Sequence, residues 1–104
     1  MGKYLLAYRG GTMAATDEER EAAMAAWGQW LGGLGGSLVD AGNPFASSAA
    51  IDGSGGVADG ASSGLTGYSI LEASSLGEAS DLTKGCPIFS GGGSVDVYET
   101  LAVM

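Results

Sequence analysis

Residues 3–9 read Lys3-Tyr4-Leu5-Leu6-Ala7-Tyr8-Arg9, and this stretch decides the fold. Successive side chains of a strand point to opposite faces, so Tyr4, Leu6 and Tyr8 share one face and Leu5 and Ala7 the other. Both faces are apolar, which predicts a strand covered on both sides. Gly10-Gly11 ends it.

A helix is predicted next. Thr16 followed three residues later by Glu19 is a capping box, and Asp17, Glu18 and Glu19 set negative charge at the positive end of the helix dipole. Met24, Trp27, Leu31, Leu34 and Leu38 recur at helical spacing. Gly35 and Gly36 are natural C-caps, so the helix ends near Leu34 and Leu38 opens the next strand. Gly28, Gly32 and Gly33 interrupt the stripe at about 1 kcal/mol each relative to Ala, which implies a helix held by tertiary packing and pressed close onto a sheet.

Residues 37–45 read as an irregular strand broken at Gly42-Asn43-Pro44. Ala49-Ala50-Ile51 and Val57-Ala58 flank the turn segment Asp52-Gly53-Ser54-Gly55-Gly56, a hairpin signature. Residues 59–64 form a polar loop, and residues 66–73 a strand centred on Tyr68, Ile70 and Leu71. Ser75 and Glu78 make a second capping box, with Leu76, Ala79 and Leu82 as a narrow apolar face and Lys84-Gly85 at the helix end. The last strand spans 95–101, with Val95 and Val97 on one face and Asp96, Tyr98 and Thr100 on the other. The order β-α-β-β-α-β is the split βαβ, an α+β ferredoxin-like arrangement with an antiparallel sheet, and it allows an extra hairpin near residues 49–58. Right-handed crossovers place both helices on one face. The other face is left bare and apolar, more than a monomer usually shows, so a homodimer packed sheet against sheet is expected.

Length and charge bound the rest. The 104 residues make a single domain, 1–104. Glycine, at 20 residues, is far above the average of about 7%, but it alternates with periodic apolar segments and marks tight turns, not disorder. A net charge of −8 argues against nucleic acid and against an anionic membrane surface, since phosphate binding needs clustered cations. No apolar run nears the ~20 residues of a membrane span, and no signal-peptide h-region follows Met1, so the cytoplasm is the expected compartment. The single cysteine closes no internal disulfide. Histidine is absent, which removes the commonest proton-transfer residue near neutral pH and the commonest metal ligand. The carboxylates lack metal-ligand spacing, and Gly91-Gly92-Gly93 precedes a strand, not a helix, so it is no phosphate cradle. No metal site and no cofactor are expected.

Several ordered pieces carry a family likeness. They are Lys3-Tyr-Leu-Leu-Ala-Tyr, the acidic helix start with Trp27-Gly-Gln-Trp-Leu, Gly42-Asn-Pro-Phe, Asp59-Gly60, Gly67-Tyr68-Ser-Ile-Leu, and Cys86-Pro with Gly92-Gly-Ser-Val-Asp-Val-Tyr-Glu99. Together, over nearly the whole chain, they resemble the YCII-related (DGPF-domain) family. The resemblance implies a ferredoxin-like fold of the dimeric α/β-barrel type, small, cytoplasmic and of unassigned biochemical role. Family members suggested to be enzymes rest on a His–Asp pair, which this chain cannot form, and of the Asp-Gly-Pro-Phe element only Asp59-Gly60 remains.

The ligand-pocket candidates are Arg9, Trp30, Asp40, Asp59 and Tyr68, each with a plainer role beside it. Arg9 holds an anionic group or pairs with a surface carboxylate. Trp27 belongs to the core stripe, while Trp30 lies one position off it and faces a pocket or an interface. Asp59 lines a pocket or caps its own turn before Gly60. Tyr68 presents its hydroxyl to a cavity beside Gly67 or satisfies it locally. Cys86 follows a helix C-terminus, which disfavours a thiolate, and reads as a small buried hydrophobe and not a nucleophile. No catalytic residue is assigned. The leading expectation is a non-catalytic dimeric module that binds a small molecule or a protein. The alternative is a small dimeric α/β-barrel enzyme, isomerase- or lyase-like, with Asp59 or Asp40 as general base and Tyr68 or Arg9 as electrophile.

Overall fold

The computed structural model describes residues 2–11, 15–61 and 63–102. Strand β1 (Gly2–Arg9) is followed by helix α1 (Asp17–Leu34), β2 (Leu38–Asp40), β3 (Ala49–Ile51), β4 (Val57–Asp59), β5 (Leu65–Ala73), α2 (Leu76–Thr83) and β6 (Ser94–Glu99). A four-stranded sheet runs in the order β2-β5-β1-β6, and β3 and β4 form a separate two-stranded sheet. The pairings β1–β5, β1–β6 and β2–β5 are all antiparallel. With the β3–β4 hairpin set aside, this is the ferredoxin-like sheet order, α+β in class.

Both helices cover the face that carries Tyr4, Leu6 and Tyr8. One core gathers Leu6, Tyr8, Leu71, Leu34, Cys86 and Ile88, with Trp27, Trp30, Leu31 and Leu82 packed against it. A second gathers Tyr4, Ala73 and Ala79. Leu6 and Leu71 are fully buried. The ring of Tyr8 meets Trp27 edge-on at 5.3 Å, and Trp27 meets Trp30 the same way at 5.7 Å. Each such pair contributes about 0.5–1.5 kcal/mol beyond its buried area. Inside this core the Tyr8 hydroxyl donates to Ser69 Oγ at 2.7 Å, and Ser69 Oγ donates to the Ala41 carbonyl at 2.7 Å.

The helix starts are capped as the sequence predicts. Thr16 Oγ1 accepts from the Glu19 amide, and Ser75 Oγ accepts from the Glu78 amide. The Glu19 carboxylate reaches back to the Ala15 amide, and that of Glu78 to the amide and hydroxyl of Ser74. Gly35, at φ +54, closes α1 where expected.

Other expectations need correction. Gly28, Gly32 and Gly33 are not pressed onto the sheet, because a Cβ at each would meet no atom within 4 Å. Met24 is 69% exposed, since the first turns of α1 overhang the sheet and residues 17–25 are all exposed. The buried ridge is therefore Trp27, Trp30, Leu31 and Leu34. Leu76, placed on the apolar face of α2, is half exposed, and buried Thr83 takes its place beside Ala79. The irregular strand over 37–45 reduces to Leu38–Asp40 and a single bridge between Pro44 and Gly67. The last strand stops at Glu99, two residues short. Ser62, in the polar loop, lies outside the described residues.

Candidate functional site

The uncovered face of the sheet is the candidate site. Alternation along β1 sends Lys3, Leu5, Ala7 and Arg9 to this face. The register then places Glu72 opposite Lys3, Ile70 and Tyr98 on either side of Leu5, and Tyr68 and Asp96 on either side of Ala7. Leu5, Tyr68 and Ile70 are half-buried and Tyr98 is 54% exposed, with no helix above them. Phe45 extends the band by stacking on Tyr68, with ring centroids 5.9 Å apart and planes 21° from parallel.

Charge lies at the two ends and at Asp40, which the register sets beside Ile70. Lys3 and Glu72 face one another at one end. At the other, Arg9 Nε donates to Asp96 Oδ2 at 3.1 Å. Arg9 Nη1 also donates to the Ser63 carbonyl at 2.6 Å, which ties the polar loop to the sheet. The Arg9–Asp96 pair is exposed and adds little stability, about 0–1 kcal/mol. Its structural consequence is that the guanidinium lies along the sheet.

The five candidates fall in different places. Arg9 and Tyr68 share the uncovered face, on neighbouring strands. Trp30 lies on the helix side, where Nε1 donates to the Leu82 carbonyl at 3.1 Å and the ring packs into the core. Asp40 stands at the end of β2 opposite Ile70, and its carboxylate accepts from the Gly42 amide at 2.8 Å. Asp59 ends β4, away from the main sheet, and is exposed. Its turn is closed by Ser48, whose carbonyl accepts from the Gly60 amide and whose hydroxyl accepts from the Ala61 amide. Gly67, beside Tyr68, is packed against Asn43, Pro44 and the Tyr8 ring.

The space between sheet and helices is packed around Leu6, Tyr8 and Leu71, and an open groove of about 500 Å³ lies between α2 and β6, lined by Leu76, Ser80, Val95, Asp96, Val97 and Tyr98. Burial pushes the Tyr8 phenol up to about 12, against the opposing hydrogen bond to Ser69. Burial likewise pushes the Cys86 thiol up to about 11, consistent with a small hydrophobe in the core. Among the described residues no buried side-chain nitrogen or oxygen lacks a hydrogen-bond partner. Among those residues no three His, Cys, Asp or Glu side chains are grouped to hold a metal, and no helix is long and apolar enough to cross a membrane.

Sequence reasoning missed Phe45, Asp96 and Tyr98 as members of this face. Alternation along β6 already sets Asp96 and Tyr98 on one side. Phe45, an aromatic residue in a polar loop after Pro44, was the other available signal. Comparison with known protein families, curated proteins and solved structures returns no match to this chain.

Proposed function

We propose that this chain is a non-catalytic homodimeric binding module of the YCII-related (DGPF-domain) kind, joined to its second copy through the uncovered sheet face. The observation that carries this reading is the apolar band of Leu5, Ile70, Tyr68, Tyr98 and Phe45 with no helix above it, and with the small, buried Ala7 at its floor. A contiguous apolar sheet face is a partner surface by default. The partner is a second copy because of charge. The chain carries −8 overall, so two copies repel over most of their surface. At the ends of this face two cations balance two carboxylates, Lys3 with Glu72 and Arg9 with Asp96, and Asp40 beside Ile70 is the exception, so two copies meet here with less repulsion than over the rest of their surface.

The scatter of the other polar candidates favours binding over catalysis. A general base works when burial and a positioned partner tune it. Asp40 and Asp59 are both exposed and lie on separate elements, and Trp30 is on the opposite side of the sheet. Tyr68 and Arg9, at the margin of the shared face, are the residues through which a ligand would be held.

Light scattering of the full chain at micromolar concentration tests the assembly. The expected result is twice the 10.2 kDa chain mass, reduced to one chain mass in Ile70→Lys. A wild-type monomer overturns the dimer. Native mass spectrometry of untreated protein tests the binding role. A co-purifying small molecule lost from Tyr68→Ala supports it, and a turnover abolished by Asp40→Asn or Asp59→Asn overturns the non-catalytic reading.

A further inference from the structure

We infer that the outer edge of β6 is a binding site for an extended cationic peptide, which adds to the sheet as a further strand beside α2. The inference goes beyond the dimer reading and does not depend on it, because the peptide lies beside the sheet and not on its uncovered face. The sheet order gives β6 a neighbour, β1, on one side only. The phase of the ladder decides which backbone groups point outward. The Thr100 amide donates to the Lys3 carbonyl at 3.0 Å, so Lys3 and Thr100 form a directly bonded pair. Bonded and unbonded pairs alternate along an antiparallel ladder. The unbroken register from Tyr4–Glu99 to Arg9–Ser94 therefore turns the backbone groups of Tyr98, Asp96 and Ser94 inward to β1, and the amides and carbonyls of Val95, Val97 and Glu99 outward. Among the described residues none bonds to these outward groups.

Apolar shape and charge together define the occupant. The groove between α2 and β6 runs along this edge, and Leu76, 47% exposed, shares it with Ser80, Val95 and Val97. An added strand supplies main-chain bonds to the edge and sets alternate side chains into such a groove. Apolar residues therefore belong opposite Val95 and Val97. The next position on the same side lies opposite Glu99. Burial, then the charge of Glu99, then that of Glu78 raises the pKa of the Tyr4 phenol, so both carboxylates stand at this end of the edge. Among the described residues neither is paired with a cation. Arg9 is held by Asp96, Arg20 by Asp17 and Lys84 by Asp81, and Lys3 lies on the other face of the sheet opposite Glu72. A cation on the peptide meets this unbalanced charge, whereas a second copy of the chain brings a further −8 and its own Asp96 and Glu99 to the seam. Antiparallel pairing is the stabler one, so the ligand reads cation-x-apolar-x-apolar from its N-terminus.

The test titrates the synthetic peptide acetyl-Lys-Thr-Val-Thr-Val-amide into the full chain at low ionic strength and follows backbone amides by NMR. The expected result is a saturable shift at the amides of Val95, Val97 and Glu99. Methylating the nitrogens of both valines removes ladder donors and is expected to weaken binding about tenfold. Glu in place of the peptide's Lys is expected to weaken it about threefold or more, and Glu99→Lys to reverse that preference. Leu76→Asn, at a half-exposed position, is expected to weaken it about threefold, with circular dichroism to verify that both variants fold. Equal binding of the Lys and Glu peptides overturns the cationic occupant, and undiminished binding of the methylated peptide overturns strand addition. Absence of shifts at the three amides at millimolar peptide, or shifts confined to Leu5, Tyr68 and Ile70, overturns the edge site and leaves the dimer reading standing. Shifts at the three amides that follow protein concentration without peptide assign the edge to a second copy and overturn the peptide.

Discussion

Gly42 lies so close to Tyr68 that a Cβ on it would stand 1.6 Å from the Tyr68 carbonyl oxygen. Its φ is +74°, in the left-handed region that favours glycine. Steric room and backbone conformation thus make the same demand at the point where the chain leaves β2 for the hairpin. Gly42→Ala is expected to cost about 2–4 kcal/mol, a large share of a typical 5–15 kcal/mol. Gly60, at φ +84° with no atom within 4 Å of its would-be Cβ, is the control. Gly60→Ala carries the conformational cost alone, about 1–2 kcal/mol. Urea denaturation of both variants separates the two effects, and equal losses would show that the Tyr68 contact is not the constraint.

The Tyr8–Ser69–Ala41 chain gives a directional pair of substitutions. Tyr8→Phe removes a donor and leaves Ser69 bonded to Ala41, so about 1 kcal/mol is expected. Ser69→Ala strands both the buried Tyr8 hydroxyl and the Ala41 carbonyl and is expected to cost more, about 2–3 kcal/mol. The same phenol sets a pH limit. Its folded pKa, about 12, is above its unfolded value near 10, so the stability it contributes is complete below pH 10 and is lost as pH rises through 12. Cys86, at about 11 against 9 unfolded, starts the decline earlier. Denaturation midpoints are expected to hold up to about pH 9 and then fall, with Tyr8→Phe removing the upper part of the fall.

Helix α1 can be improved. Gly28 and Gly32 are interior helical positions with open space where a Cβ would go. Each change to Ala is expected to stabilise the chain by about 0.8–1 kcal/mol, a rise of about 4–8 °C in melting temperature per kcal/mol. A calorimetric scan in which either variant melts lower than wild type would show that a neighbour occupies that side of the helix.

Local chemistry made much of the fold legible. Alternation in Tyr4-Leu5-Leu6-Ala7-Tyr8 identified the core face, and the Thr16–Glu19 and Ser75–Glu78 boxes marked both helix starts. Asp52 through Gly56 announced the hairpin. What periodicity does not encode is how far an element extends past its neighbour. Met24 lies on the helical stripe and is still exposed, because α1 overhangs the sheet there. Trp30 is one place off the counted stripe and is still in the core, because the helix is rolled to bring Trp27, Trp30 and Leu31 down together. The candidate site was less legible. Arg9 meets Asp96 across 87 residues of chain, and only the β1–β6 register, a tertiary property, brings them together.

The main sheet has two rims. One is β2, three residues long; the other is β6, which carries Asp96 and Glu99. A rim with free backbone amides and carbonyls is a template on which further strands can stack into fibrils. Here one rim is too short to seed such growth, and the other repels an identical rim through its carboxylates. This chain can therefore carry an uncovered greasy platform while its borders resist runaway polymerisation.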